Sequence, residues 1–225
     1  HDALPIFPEY QLMEWNEDNF DIERLQYTRE AYTAGKYAFV SDVARVEALY
    51  QYGGVYMDTD VEVLKSFNPL LEAQCILGME EKEYVATSFM AFEKGHPLVK
   101  EFLNLYEQLS FLDKKGQIIA GTNVAKLTKM LKEKGFVQEN HYQELENGIQ
   151  IYPKEFFSPY DYINCHYNIT ENSYCVHYFA VSWMSKKEQV KKEIKKRIVK
   201  ILGPEKMNEI MDTITVFCNI IMAIN

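Results

Sequence analysis

The chain has 225 residues, 47% of them hydrophobic, enough to bury the core of one α/β domain and too many for a disordered segment. Its formal net charge of −9 is uneven: residues 1–183 hold 15 Lys and Arg against 28 Asp and Glu, whereas residues 184–225 hold 9 against 5. An acidic body argues against general nucleic-acid binding, which needs a basic face, so an anionic ligand would have to be met through a cation or a few placed arginines.

Residues 1–7, HDALPIF, have no pattern of their own and read as a cloning or sequencing scar. YQLMEW at 10–15 reads as a strand and NEDNFD as the turn that follows it. Two helices are predicted between Asp21 and Tyr52. In the second, Ala38, Ser41, Asp42, Arg45, Leu49 and Tyr52 fall at spacings of three and four, with Ser41 as N-cap and Asp42 in the first turn. Gly53 and Gly54 end that helix, Gly53 in a position suited to left-handed backbone. VYMDTDVEVL then reads as strand, carboxylate turn, strand.

CILGM and ATSFMAF are two further strands around a charged turn. Pro97 opens a helix in PLVKEFLNLYEQLSFLDK. GTNVAKLTKMLKEKGF is another, capped by Thr122 or Asn123 and closed by Gly135. IQIYPKEFFSPY and SYCVHYFAVSW read as late strands and loops, and the alternation of strands with helices points to a layered α/β domain. The tail KKEQVKKEIKKRIVKILG is a basic amphipathic helix with Val190, Ile194, Ile198, Ile201 and Leu202 on one face. Either it lies on an anionic membrane surface, or it packs on the domain with a solvated lysine face.

The four cysteines, Cys75, Cys165, Cys175 and Cys218, form no CxxC pair and match no zinc spacing. Free buried thiols are expected, with a Cys165–Cys175 hairpin bridge as the alternative. No signal-peptide pattern or membrane span is visible, so the expected setting is cytoplasmic, peripheral on the inner face of the membrane.

The chemistry concentrates in GGVYMDTD at 53–60. Residues two apart on a strand point to one side, so Asp58 and Asp60 can converge on one point. Hard oxygen ligands at that spacing suit Mn²⁺ or Mg²⁺, which usually also take phosphate oxygens; the bland alternative is an acidic surface turn. Asp42 and Arg45 lie one turn apart on a helix face, suited to a sugar hydroxyl and a phosphate or simply to each other as an ion pair.

SDVARVEALYQYGGVYMDTDVEV resembles the sugar-binding region of the DXD-containing glycosyltransferases, a family 32-like group of mannosyltransferases and bacterial capsular and surface-polysaccharide transferases. More distantly it is similar to the glucosylating clostridial toxins. The shared pattern is SD-x-x-R, an apolar helix end, then GG-x-Y-x-D-x-D; WNEDNFD upstream and VHYFAVSW downstream extend the resemblance over about residues 8–190. It implies a GT-A type, Rossmann-like mixed sheet flanked by helices, a UDP- or GDP-sugar donor, a divalent cation, a glycan acceptor and retention at the anomeric carbon.

Carried over by position, Asp58 and Asp60 hold metal and diphosphate, Asp42 and Arg45 contact the donor sugar and its phosphate side, and Asp60 and Arg45 are the residues expected to carry catalysis. Tyr56 matches an aromatic of the donor site, although a core tyrosine would read the same way. His177, Ser182 and Trp183 match the late H…SW element. There the imidazole would ligate metal or bond a phosphate and the indole would cover the leaving nucleotide, but a lone histidine is more often structural. Relatives usually begin with a strand like IPKIIHYCWFG, which this sequence lacks, so an open sheet edge is expected.

The expected organisation is residues 1–7 as the unpatterned segment, 8–185 as the GT-A domain without its first strand, and 186–225 as the basic helical tail. A haloacid-dehalogenase-type phosphatase also places D-x-D after a strand, but it wants Thr or Val where this chain has Glu62. A non-enzymatic glycan- or membrane-binding module is the remaining alternative.

Overall fold

The computed structural model describes residues 10–162 and 165–179, with Ile194, Arg197, Val199, 201–203 and Lys206 beyond them. Helices α1 (Gln26–Thr33) and α2 (Tyr37–Tyr52) are joined by a tight turn in which Gly35 adopts φ 67° and Lys36 N donates to Ala31 O at 2.8 Å. Strands β1 (Gly54–Met57) and β2 (Val61–Val63) flank the carboxylate turn, and β3 (Cys75–Met79) and β4 (Val85–Phe92) follow. Next come α3 (Pro97–Glu107), α4 (Asn123–Glu133), β5 (Gln143–Leu145), β6 (Ile149–Tyr152) and α5 (Lys154–Phe157). Short strands β7 (Tyr160–Asp161), β8 (His166–Tyr167) and β9 (Cys175–His177) complete the described chain.

The main sheet is mixed, in the order β1-β4-β3-β6-β5, with β3 and β6 parallel and the other neighbours antiparallel. Every residue of β3 and β4 is buried, which explains why both read as continuous apolar runs. Period-two alternation divides their side chains between two layers. Leu77, Met79, Met90 and Phe92 meet Val43, Val46 and Leu49 of α2, Phe102 of α3 and Leu127 of α4. On the opposite face Ile76, Phe89 and Ala91 meet Phe67, Phe157 and Cys175. Phe157 stacks on Phe89 with centroids 4.0 Å apart, and Gly78 leaves room for it: a Cβ there would lie 2.5 Å from the Phe157 ring.

The structure corrects two expectations. Residues 10–15 are not a strand; Trp15 instead packs edge-on to Tyr52 with centroids 6.0 Å apart, and Glu14 O accepts from the Asn19 side chain. Ser41 does not cap α2, which begins at Tyr37, so Ser41 sits in the second turn and its hydroxyl bonds Ala38 O at 2.8 Å. Cys165 and Cys175 are free thiols, as expected, and burial pushes Cys175 up to about 12.

Thr122 does cap α4, accepting from Ala125 N. In the tail, Ile194 and Ile201 are 52% and 80% exposed while Val199 is buried; Val190 and Ile198 lie outside the described residues. Among the described residues no helix is long and apolar enough to cross a membrane.

Candidate donor and metal site

The site forms where α2, the end of β1 and a bulge in β4 meet. Strand β4 pairs with β3 through Met90–Phe92 and again at Val85, with the register broken between Leu77 and Met79. Its intervening residues turn their carbonyls to other work: Thr87 O accepts from Arg45 Nη1 at 2.8 Å, and Ser88 O accepts from Asp58 N at 2.8 Å. Bulges re-aim backbone in this way beside functional sites.

Arg45 is 7% exposed and fully engaged. Its Nη1 lies 2.9 Å from Asp58 Oδ1 and its Nη2 3.1 Å from Asp42 Oδ1, while Nε donates to Ser41 O at 3.2 Å. The guanidinium sits over the Tyr56 ring, 4.7 Å from the centroid, and the Tyr56 hydroxyl donates to Asp58 Oδ1 at 2.7 Å. Asp58 is thus held through one oxygen from two sides.

Buried ions are costly unless paired, and here the opposing forces can be separated. Burial pushes the Asp42 carboxyl up to about 6; the Arg45 charge pulls against this and the Asp58 charge adds to it. For Arg45, burial disfavours the cation, but Asp42, Tyr56 and Asp58 outweigh it and the group stays firmly protonated. Asn123 and Lys126, at the start of α4, also act on Asp42, and Asn123 is itself held by the Tyr106 hydroxyl at 2.7 Å.

Asp58 and Asp60 converge for a reason different from the one expected. The strand ends at Met57, and 58–60 form a turn closed by Val61 N donating to Asp58 O at 3.1 Å, so turn geometry rather than strand pleat brings the carboxylates together. Strand β2 then pairs with β9, setting Val61 opposite His177, and His177 Nε2 lies 3.3 Å from Asp60 Oδ1. Ligand atoms of Asp58, Asp60 and His177 all lie within 4.8 Å of one another. Two carboxylates and an imidazole suit a divalent cation. The buried Nδ1 of His177 has no hydrogen-bond partner among the described residues, as fits a ring able to turn to an ion.

Asp42, Arg45, Tyr56, Asp58, Asp60 and His177 are therefore brought together, while Ser182 and Trp183 lie outside the described residues. Three contributors escape sequence reasoning: Ser41 as a rest for Arg45, the Thr87 carbonyl, and Glu80. Glu80 follows β3 at the same sheet edge, and burial raises its carboxyl to about 7, with His177 opposing and Asp58 adding to the rise. Its only local signal is a carboxylate directly after an apolar strand.

The sequence around this geometry is similar to known glycosyltransferases. Residues 2–77 match the family described as "Glycosyltransferase sugar-binding region containing DXD motif". Over 125 residues the chain is 30% identical to lactosylceramide 4-alpha-galactosyltransferase of Mus musculus, covering 56% of this chain and 33% of that protein. Inositol phosphoceramide mannosyltransferase 3 of Schizosaccharomyces pombe is 25% identical over 117 residues, covering 48% and 32%. Among solved structures, a chain titled PaToxG Glycosyltransferase shares 25% identity with a TM-score of 0.36, over 47% of this chain and 38% of that one. The chain spans about a third of the length of these two curated relatives.

Proposed function

We propose that the protein is a metal-dependent retaining glycosyltransferase with a GT-A type fold that moves a sugar from a UDP- or GDP-sugar to a glycan acceptor. The observation that carries this reading is the junction of two clusters: Asp42–Arg45–Asp58, joined at 2.9–3.1 Å, and the Asp58–Asp60–His177 trio. Mn²⁺ or Mg²⁺ would be held by Asp58, Asp60 and His177, where it would supply positive charge to the donor diphosphate.

Arg45, locked by its ion pairs, presents fixed positive charge to the same diphosphate without rearranging, and such preorganised charge is what stabilises a departing anion. Asp42, ionised, accepts from a sugar hydroxyl and sets the ring against Arg45. Tyr56 keeps Asp58 aimed. The bond from the anomeric carbon to the diphosphate oxygen breaks as the acceptor oxygen bonds to that carbon from the same face. The acceptor proton passes to the departing phosphate oxygen.

The two curated relatives are named for lactosylceramide and inositol phosphoceramide, which favours a glycolipid headgroup as acceptor over the capsular polysaccharide expected from the sequence. The basic segment 186–202 would suit a membrane-borne acceptor. Donor cleavage in the presence and absence of Mn²⁺ tests the reading. Wild type should show Mn²⁺-stimulated release of nucleoside diphosphate, with Asp60→Ala slower by about a hundredfold or more. Equal, metal-independent rates in both proteins would contradict it.

A further inference from the structure

Two segments meet at the N-terminal end of α2, and neither takes part in the site described above. One is the turn between α1 and α2, where Tyr32 and Tyr37 pack edge-on with centroids 5.3 Å apart and both stay exposed, Tyr37 to 62%. The other is a hairpin over residues 111–119, bridged at Leu112 and Ile118. Asp113 N donates to Gln117 O at 2.8 Å and Ile119 N to Phe111 O at 3.0 Å, while Asp113 Oδ1 accepts from Lys115 N and Gln117 N at 2.8 Å each. The hairpin is fixed at its base. Glu30 Oε2 of α1 accepts from Phe111 N and Leu112 N at 2.9 and 3.0 Å, and the Phe111 ring packs on Phe39 of α2 at 5.1 Å.

Beyond that base the hairpin is uncovered. Ile118 and Ile119 are 48% and 59% exposed, although successive residues of an extended arm point to opposite sides, so the arm stands clear on both. Lone surface apolar residues are ordinary, but two isoleucines and two tyrosines on adjoining elements call for an explanation. Lys36, Lys114 and Lys115 are exposed on the same two segments, and their side chains form no ion pair or hydrogen bond among the described residues. The two carboxylates within these segments are already engaged, Glu30 at the hairpin base and Asp113 in its turn. The chain as a whole carries −9, so an anionic surface repels most of it, and unpaired lysines decide which end approaches.

We propose that the α1–α2 turn and the 111–119 hairpin form a docking face for an anionic lipid bilayer. Ile118, Ile119 and Tyr37 enter the headgroup boundary, and Lys36, Lys114 and Lys115 meet lipid phosphates. Tyrosine and aliphatic side chains set among lysines are the composition that lies in that boundary, apolar body inward and polar tip in water. Asp42 sits about 8 Å along the axis of α2 from Tyr37, so docking sets the donor site close to the membrane, within reach of a lipid-borne sugar. What the face serves rests on the glycolipid-acceptor reading above; the contact itself needs only these two segments and not the basic tail.

The test is co-sedimentation of the full chain with vesicles of phosphatidylcholine alone and of phosphatidylcholine with phosphatidylserine, with donor cleavage by water measured alongside. Wild type should bind the phosphatidylserine vesicles, and added salt should weaken that binding. Ile118→Ser/Ile119→Ser and Lys114→Ser/Lys115→Ser should each weaken it by about tenfold or more, with melting temperature and Mn²⁺-stimulated donor cleavage as in wild type. Ile118→Trp should add a fluorescence that brominated phosphatidylcholine in the same vesicles quenches. Equal vesicle binding by wild type and both double variants overturns the assignment, as does an Ile118→Trp emission untouched by brominated lipid; either would place the contact elsewhere, as on the 186–202 segment. A wild type that ignores charged vesicles, or binds neutral ones equally, overturns it too. Vesicle binding as described without any donor cleavage would count against the transferase reading and leave the docking face standing.

Discussion

At the scale of single residues, Arg45 joins helix to strand. Its planar fork reaches Asp42, Asp58, the Thr87 carbonyl and Ser41 at once, which a lysine cannot do. Arg45→Lys should therefore cost about 3 kcal/mol in urea unfolding, because carboxylates are left buried and poorly paired. Asp42 gives the pH dependence. Its folded carboxyl is raised to about 6 from an ordinary 3.8, so the stability held by its protonated form is present at acid pH and lost as pH rises through about 6. Unfolding midpoints between about pH 4 and pH 7 should show wild type losing ground to Asp42→Asn as pH rises.

The Asp42–Arg45 pairing was legible because i,i+3 spacing on a helix fixes it locally. The misreading of Ser41 has an equally local cause: serine marks helix starts, but the apolar pattern already holds at Val40, and the turn at Gly35 sets the true start.

At the scale of elements, the glycine stop does more than end α2. Gly53 has φ 70°, and a Cβ there would lie 2.6 Å from Lys94 N and 2.9 Å from Phe92 O, so backbone from the end of β4 packs directly against it. Gly53→Ala should lower stability by about 1–3 kcal/mol, read from thermal melts, and should displace Asp58 relative to Arg45. Gly54→Ala, with open space around its Cβ position, meets only the backbone penalty of φ 92° and should cost less.

The helices α2, α3 and α4 and the strands β3 and β4 were readable because each carries its own periodicity, cap or uninterrupted apolar run. The 10–15 segment alternates like a strand but has no strand partner among the described residues, and local pattern cannot supply one. The β2–β9 pairing was likewise invisible, since register between strands over a hundred residues apart is a tertiary property.

At the scale of the molecule, a mixed sheet with α1–α4 on one face and α5, β2 and β9 toward the other gathers the ends of β1 and β3 and the β4 bulge at one edge. On the face away from α1–α4, Phe157 stacks on Phe89, and Phe157→Ala should cost about 3–5 kcal/mol by emptying that stack, measurable in the same unfolding experiments. The net charge of −9 makes a cation the natural bridge between this surface and an anionic donor. Manganese uptake followed by electron paramagnetic resonance, with and without UDP, tests the central claim most directly. The wild-type chain should bind a single Mn²⁺ that UDP tightens, and the Asp58→Asn/Asp60→Asn double variant should lose that uptake while keeping its fold. Equal Mn²⁺ and UDP binding by the two proteins would contradict a donor site built on the DXD turn.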